Sequence, residues 1–148
     1  MRANWAALSL RLVIGTVFVA NGSQKLFGAF GGSGITESAA GFAHLGLNPG
    51  IFWAWVVAIT EFFGGLGILG GLLTRVSALG ISAIMIVGVI TVHGKNGFFA
   101  KTGGFEYNLM ILGAAVALII LGAGDYSVEA QLVKRLKSRR KRGTESRT

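Results

Sequence analysis

Arg11 and Glu61 stand out for chemistry because each interrupts a stretch that is otherwise apolar. A charge at the centre of a membrane-length helix costs about 3 kcal/mol on insertion scales, so it must find a partner or serve a site. Counted at 1.5 Å per helical residue, Arg11 lies about 10 Å from the near end of its stretch, and Glu61 about 15–18 Å from the matching end of its own. An arginine side chain spans that difference, so the spacing predicts a buried Arg11–Glu61 ion pair. Such a pair either pins two helices together or sets the field at the deep end of a ligand slot. The helical neighbours of Glu61 (Val57, Ala58, Gly64 and Gly65) are small and suit both roles.

A second polar group gathers at the opposite ends of the apolar stretches. Asn21, Gln24 and Lys25 close the first, His93 and Lys95 close the third, and Glu106, Tyr107 and Asn108 open the fourth. Each has an ordinary explanation. A lysine snorkels, a histidine caps a helix end, a glutamate suits a helix N-terminus, and a tyrosine anchors at the membrane interface. Together with Glu61, the residues Asn21, Gln24, Lys25, His93, Glu106, Tyr107 and Asn108 form a candidate ligand-binding set. They place donors and acceptors at similar depth among apolar helices, as a ligand slot with a few polar groups in apolar walls requires. Arg11, Gly15, Gly22 and Lys25 share one helical stripe, which is expected to face the inside of a bundle.

The elements that position these residues follow from hydropathy. Of 148 residues, 52% are apolar and 14% charged, well below the ~25% charge of soluble domains. Mean hydropathy is +0.64. Four stretches are apolar and about long enough to cross a membrane: Trp5–Gly22, Ile51–Leu73, Val76–Val92 and Tyr107–Ala123. The predicted fold is an all-α four-helix transmembrane bundle over residues 1–130. Asn48-Pro49 opens the second span, with Asn48 as its cap. The connection before it is long, and Thr36–Leu45 within it reads as a short interfacial helix, capped by Thr36 and ended by Gly46. Trp5, Trp53 and Trp55 read as interfacial anchors. Arg11 within the first stretch, and the lack of an A-x-A site after it, argue for a retained helix rather than a signal peptide.

Eight of the 14 Lys and Arg residues lie from Lys134 onward, so the net charge of +8 belongs mainly to the tail. Residues 131–148 are expected to form a flexible basic cytoplasmic tail lying along anionic lipid. With four spans, that tail, Arg2 and Arg75 share one side, which places both termini in the cytoplasm by the positive-inside rule. The tail lacks interleaved aromatics, so nucleic acid is not the expected partner. With no cysteine, two histidines and no H-E-x-x-H, no metal site is expected. Glycine-rich Gly64–Gly71 sits inside an apolar span, where close helix packing explains it better than phosphate binding.

These residues, in this order, resemble the DoxX-like membrane proteins. The first span carries Arg11-Leu12-Val13-Ile14-Gly15 and ends in Asn21-Gly22-Ser23-Gln24-Lys25-Leu26, similar to the family's Arg-led helix with a Gly-x-x-Lys-Leu element. Glu61 precedes a glycine-rich apolar run and Thr74-Arg75; His93 precedes Gly97-Phe98-Phe99; Glu106-Tyr107-Asn108 opens the fourth span. Gly122–Glu129 resembles the family's Gly-Pro-Gly-x-x-Ser-Leu-Asp ending, with Ala123 for Pro and Glu129 for Asp. The resemblance implies a multi-pass protein of the bacterial plasma membrane. It also implies roles as different as a subunit of a thiosulfate:quinone oxidoreductase, a membrane partner of soluble oxidative-stress enzymes, and chaperones or cargo receptors.

Three functions follow as expectations. The first is a membrane subunit of a redox complex, with soluble redox-enzyme partners and a quinone as bound cofactor. The chain has no redox cofactor motif of its own, so its standing as an enzyme is left open. The second is a non-catalytic scaffold that uses the basic tail. The third is a small-solute transporter, which lacks the usual interrupted helices. The glycine faces also permit a homo-oligomer.

Overall fold

The computed structural model describes residues 2–145. Helices α1 (Arg2–Phe27), α3 (Gly50–Gly70), α4 (Thr74–Gly88) and α5 (Glu106–Leu121) pack side by side. Helix α2 (Gly34–His44) sits beside the start of α3, and α6 (Val128–Glu145) follows the bundle. A single π-helical turn, Val89–His93, prolongs α4. No strand occurs among the described residues.

The inward faces follow a spacing of three and four residues, the period of a helical seam. They are Ala54, Ala58, Glu61, Gly65 and Ile68 on α3, and Asn108, Ile111, Ala115 and Leu118 on α5. Phe18 of α1, Ile68 of α3, Ile81 of α4 and Leu118 of α5 meet in one core. The outward faces are apolar too: Ile90, Met110 and Ile120 are each more than two-thirds exposed. A bundle that is apolar inside and out is built for hydrocarbon rather than water.

Three helices are long and apolar enough to cross a membrane: Arg2–Phe27, Gly50–Gly70 and Thr74–Asn96. The fourth, α5, is equally apolar but has 16 residues, or about 24 Å at the helical rise. It stops at Leu121 because Gly122 turns the chain at φ +70°.

Two expected helix caps are corrected. Helix α2 begins at Gly34, ahead of Thr36, so Thr36 is not its cap; it ends before Gly46, whose φ is +81°. Pro49 rather than Asn48 occupies the cap position of α3, with no side-chain capping bond. The turn between α3 and α4 centres on Gly71–Leu73, with Leu72 N–H returning to Gly67 O at 2.8 Å, and Thr74 already belongs to α4. The basic segment, read as a flexible tail, is helical through Glu145; residues 146–148 lie outside the described residues.

Candidate functional site

The register of α1 against α3 decides which charges meet. Adding a side-chain carbon at Gly22 would collide with the backbone of Phe62; at Gly65 it would lie 2.6 Å from Val19 N; at Gly15, 2.9 Å from Leu69 N. Each of these pairs has residue numbers that total 84, as an antiparallel pair in fixed register must. In that register Arg11 lies opposite position 73, beyond the end of α3 and about 18 Å along the axis from the level of Glu61. The expected Arg11–Glu61 pair is therefore wrong.

Arg11 instead donates to four backbone carbonyls: Nε to Ile68 O at 2.8 Å, Nη2 to Leu69 O at 2.7 Å, and Nη1 to Ala123 O and Tyr126 O at 2.8 and 2.9 Å. Ile68 and Leu69 sit in the last turn of α3, where carbonyls lack i+4 helical partners and carry the negative end of the helix dipole, Ile68 O accepting also from Gly71 N–H at 3.1 Å. The guanidinium thus ties α1 to the end of α3 and to the α5–α6 turn without any carboxylate. Ser127 completes that turn, its Oγ donating to Gly124 O at 2.6 Å and accepting from Ala130 N at 3.1 Å.

Glu61 pairs with Lys25, Nζ to Oε2 at 2.6 Å. The same register explains it, because Lys25 falls opposite position 59, half a turn from Glu61. The pair borders a cavity of about 380 Å³ between α2, α3, α4 and α5. Phe42, Trp53, Val57, Ile84, Met85 and Val92 give it apolar walls. Lys25, Thr60, Glu61, Thr91, His93 and Asn108 supply its polar groups. Asn108 is buried and donates to Met85 O at 3.3 Å. His93 Nδ1 lies 2.7 Å from Gly103 O. Glu61 Oε1 and the Thr60 hydroxyl have no partner among the described residues.

Of the eight expected ligand residues, Lys25, Glu61, His93 and Asn108 line this cavity. The other four do not line it. Asn21 donates to Val17 O one turn back at 2.8 Å, and Gln24 packs its Cβ against Gly32. Glu106 accepts from Ala100 N at 2.9 Å and so ties down its own loop. Tyr107 is half exposed at the start of α5. No group of three or more metal-ligating side chains occurs among the described residues.

The family model for DoxX matches residues 6–94, a span from α1 through the end of α4 that takes in Arg11, Lys25, Glu61 and His93. The chain belongs to the DoxX family. It is 31% identical over 128 residues to "Inner membrane protein YqjF" of Escherichia coli, covering 86% of this chain and 92% of that one. It is 28% identical over 116 residues to "Putative oxidoreductase CatD" of Bacillus subtilis, covering 78% of each. It is 26% identical over 141 residues to "Uncharacterized membrane protein Rv3486" of Mycobacterium tuberculosis, covering 88% of this chain and 83% of that one. No solved structure matches it. With its long apolar helices, this DoxX protein is a multi-pass protein of the bacterial cell membrane.

Sequence reasoning missed several groups of the DoxX cavity. Thr60 and Thr91 are not singled out by type or spacing, and Phe42 belongs to a segment read as interfacial. The helical offset of Thr60 beside Glu61 gave a weak signal. Nothing local announced that α2 would contribute Phe42 to the cavity wall.

Proposed function

We propose that this DoxX protein is a membrane subunit of a redox assembly and that the cavity beside Lys25–Glu61 holds the head of a quinone-like apolar ligand. In this reading all four apolar helices cross the membrane, α5 with some local thinning of the bilayer, and both termini are cytoplasmic. The supporting observation is an apolar cavity with an ion pair in its wall whose hydrogen-bonding capacity is incompletely used. At about 380 Å³ it lies toward the small end of the ~300–1,000 Å³ range of ligand sites. That suits one ring and the start of a tail.

The donor set fits both redox forms of such a ligand. A quinone carbonyl only accepts, and Lys25 keeps two N–H groups after pairing with Glu61. A quinol hydroxyl also donates, and Glu61 Oε1 is open to receive it. Thr60 can do either. The chain's residues thus bind and orient the ring; electrons would come from a partner. The relative named as an oxidoreductase is consistent with that setting.

The test is titration of the full-length protein in nanodiscs with a short-chain quinone, read by quenching of Trp53 against a Trp53→Phe reference. Saturable binding is expected. Val57→Phe, which fills the cavity, should abolish it, and Lys25→Met should weaken it by about 10-fold or more, the value of one hydrogen bond to a charged group. Absence of saturable binding, or binding untouched by Val57→Phe, would overturn the reading.

A further inference from the structure

At the opposite end of the bundle a second cavity, of about 700 Å³, lies between the start of α4, the α5–α6 turn and the first turns of α6. Three cations line it from two separate elements: Arg75 from α4, and Lys134 and Lys137 from α6. None of the three has a hydrogen bond or ion pair among the described residues. Two carboxylates also line it. Asp125 is engaged by Asn4 Nδ2 at 2.6 Å, and Glu129 lies in the first turn of α6, where it complements the helix dipole. The Arg75 guanidinium lies 3.4–3.8 Å from the space beside Gly122, at the C-terminal end of α5.

The remaining wall includes Leu73, Val76, Leu121 and Val133. Val76 and Val133 are exposed, as are Val128, Leu132 and Leu136, which recur every four residues along one stripe of α6. A helix with an exposed apolar stripe and flanking lysines lies in a membrane interface. Beside it, Thr74 is 1% exposed and its hydroxyl has no hydrogen-bond partner among the described residues. Thr74 opens α4, whose first N–H groups lack helical partners, and it lines the same cavity.

We infer that this cavity is a binding site for one anionic phospholipid: its phosphate among Arg75, Lys134 and Lys137, its acyl chains along Val76 and Leu121. Charge complementarity selects the occupant, because cations with no ion pair among the described residues, around a half-apolar groove at the end of membrane helices, match a headgroup with its chains attached. Basic pockets between membrane helices take anionic headgroups for the same reason. A soluble phosphate would leave the apolar wall wet. The site is independent of the quinone reading, since it shares no lining residue with the Lys25–Glu61 cavity.

The experiment is native mass spectrometry of the full chain released from detergent, with phosphatidylglycerol, phosphatidylcholine or inorganic phosphate added in separate arms. Phosphatidylglycerol is expected to be retained as a single bound molecule in preference to phosphatidylcholine, with no retention of phosphate. Each near-surface cation contributes a factor of about five, so Arg75→Gln/Lys134→Gln/Lys137→Gln should lose affinity about 100-fold. The charge-matched variant Arg2→Gln/Lys95→Gln/Lys101→Gln should keep it. Thermal unfolding of both variants near the parent value is expected, because none of the substituted groups has a hydrogen bond or ion pair to lose among the described residues. Equal loss in both variants, equal retention of the two lipids, or binding of phosphate alone would each overturn the inference.

Discussion

Arg11 and the Lys25–Glu61 pair are both charges buried in an apolar bundle, yet they differ in what they leave unused. Arg11 spends four N–H groups on four carbonyls and lines neither cavity described above. Lys25 and Glu61 make one short contact with each other and keep donors and an acceptor beside open space. A saturated charge is a fastener. An incompletely satisfied one beside a cavity is the better place to look for a ligand. The contrast also shows that a buried cation in a membrane protein needs no acidic partner when a helix C-terminus is within reach.

The largest effect is expected where the saturated charge is removed. Arg11→Gln strips the last turn of α3 and the α5–α6 turn of their donor and should cost about 3–5 kcal/mol, the scale for breaking a buried charged network. Thermal unfolding of purified protein in detergent reads it, and Arg11→Lys should recover only part, lacking the planar fork. An unchanged unfolding temperature for Arg11→Gln would mean the carbonyl node is not structural.

Next comes the register that keeps the two regions apart. Gly22→Leu must push α1 off the Phe62 backbone and should cost about 2 kcal/mol or more. Gly64→Ala, whose added carbon would meet Ile81 at an ordinary 3.8 Å, should change stability by less than about 0.5 kcal/mol. Similar losses for both would mean that α1 and α3 do not pack as described.

A double-mutant cycle sharpens the comparison further. Lys25→Met and Glu61→Gln should couple by about 1–2 kcal/mol, since each alone strands its partner. Arg11→Gln with Glu61→Gln should be additive within about 0.5 kcal/mol, as befits sites far apart with no shared partner. Coupling in the second cycle but not the first would restore the Arg11–Glu61 pair. The smallest effect belongs to His93→Phe, which loses one contact to Gly103 O in an exposed loop and should cost about 1 kcal/mol or less. The change in unfolding temperature checks it, and the same variant shows whether the cavity mouth matters for quinone titration.

Much of the fold was legible because hydropathy and periodicity are local. The four apolar segments, the shared stripe of Arg11, Gly15, Gly22 and Lys25, and the glycine-rich face of the second span can all be read from spacing, and the packing of Gly15, Gly22 and Gly65 bears out the close approach. The site was legible only in part. Lys25, Glu61, His93 and Asn108 share a cavity as their similar depth suggested, but Glu106 was committed to its own loop and Asn21 to its own helix. Short-range competition of that kind depends on backbone geometry that residue types do not reveal.

The sequence alone determined that the chain crosses membranes, that it is a DoxX protein, and that Arg11 and Glu61 each had to be satisfied inside the bundle. Tertiary structure alone decided by what. Helix α1 starts at Arg2 while α3 stops at Gly70, level with Ile14, so the stretch of α1 before Ile14 runs past the end of α3 and depths counted from the two helix ends misplace one helix along the other. The axial stagger is set by where glycines let two backbones touch. That stagger carries Arg11 past the end of α3, onto carbonyls that every sequence has and none displays, and brings Lys25 level with Glu61.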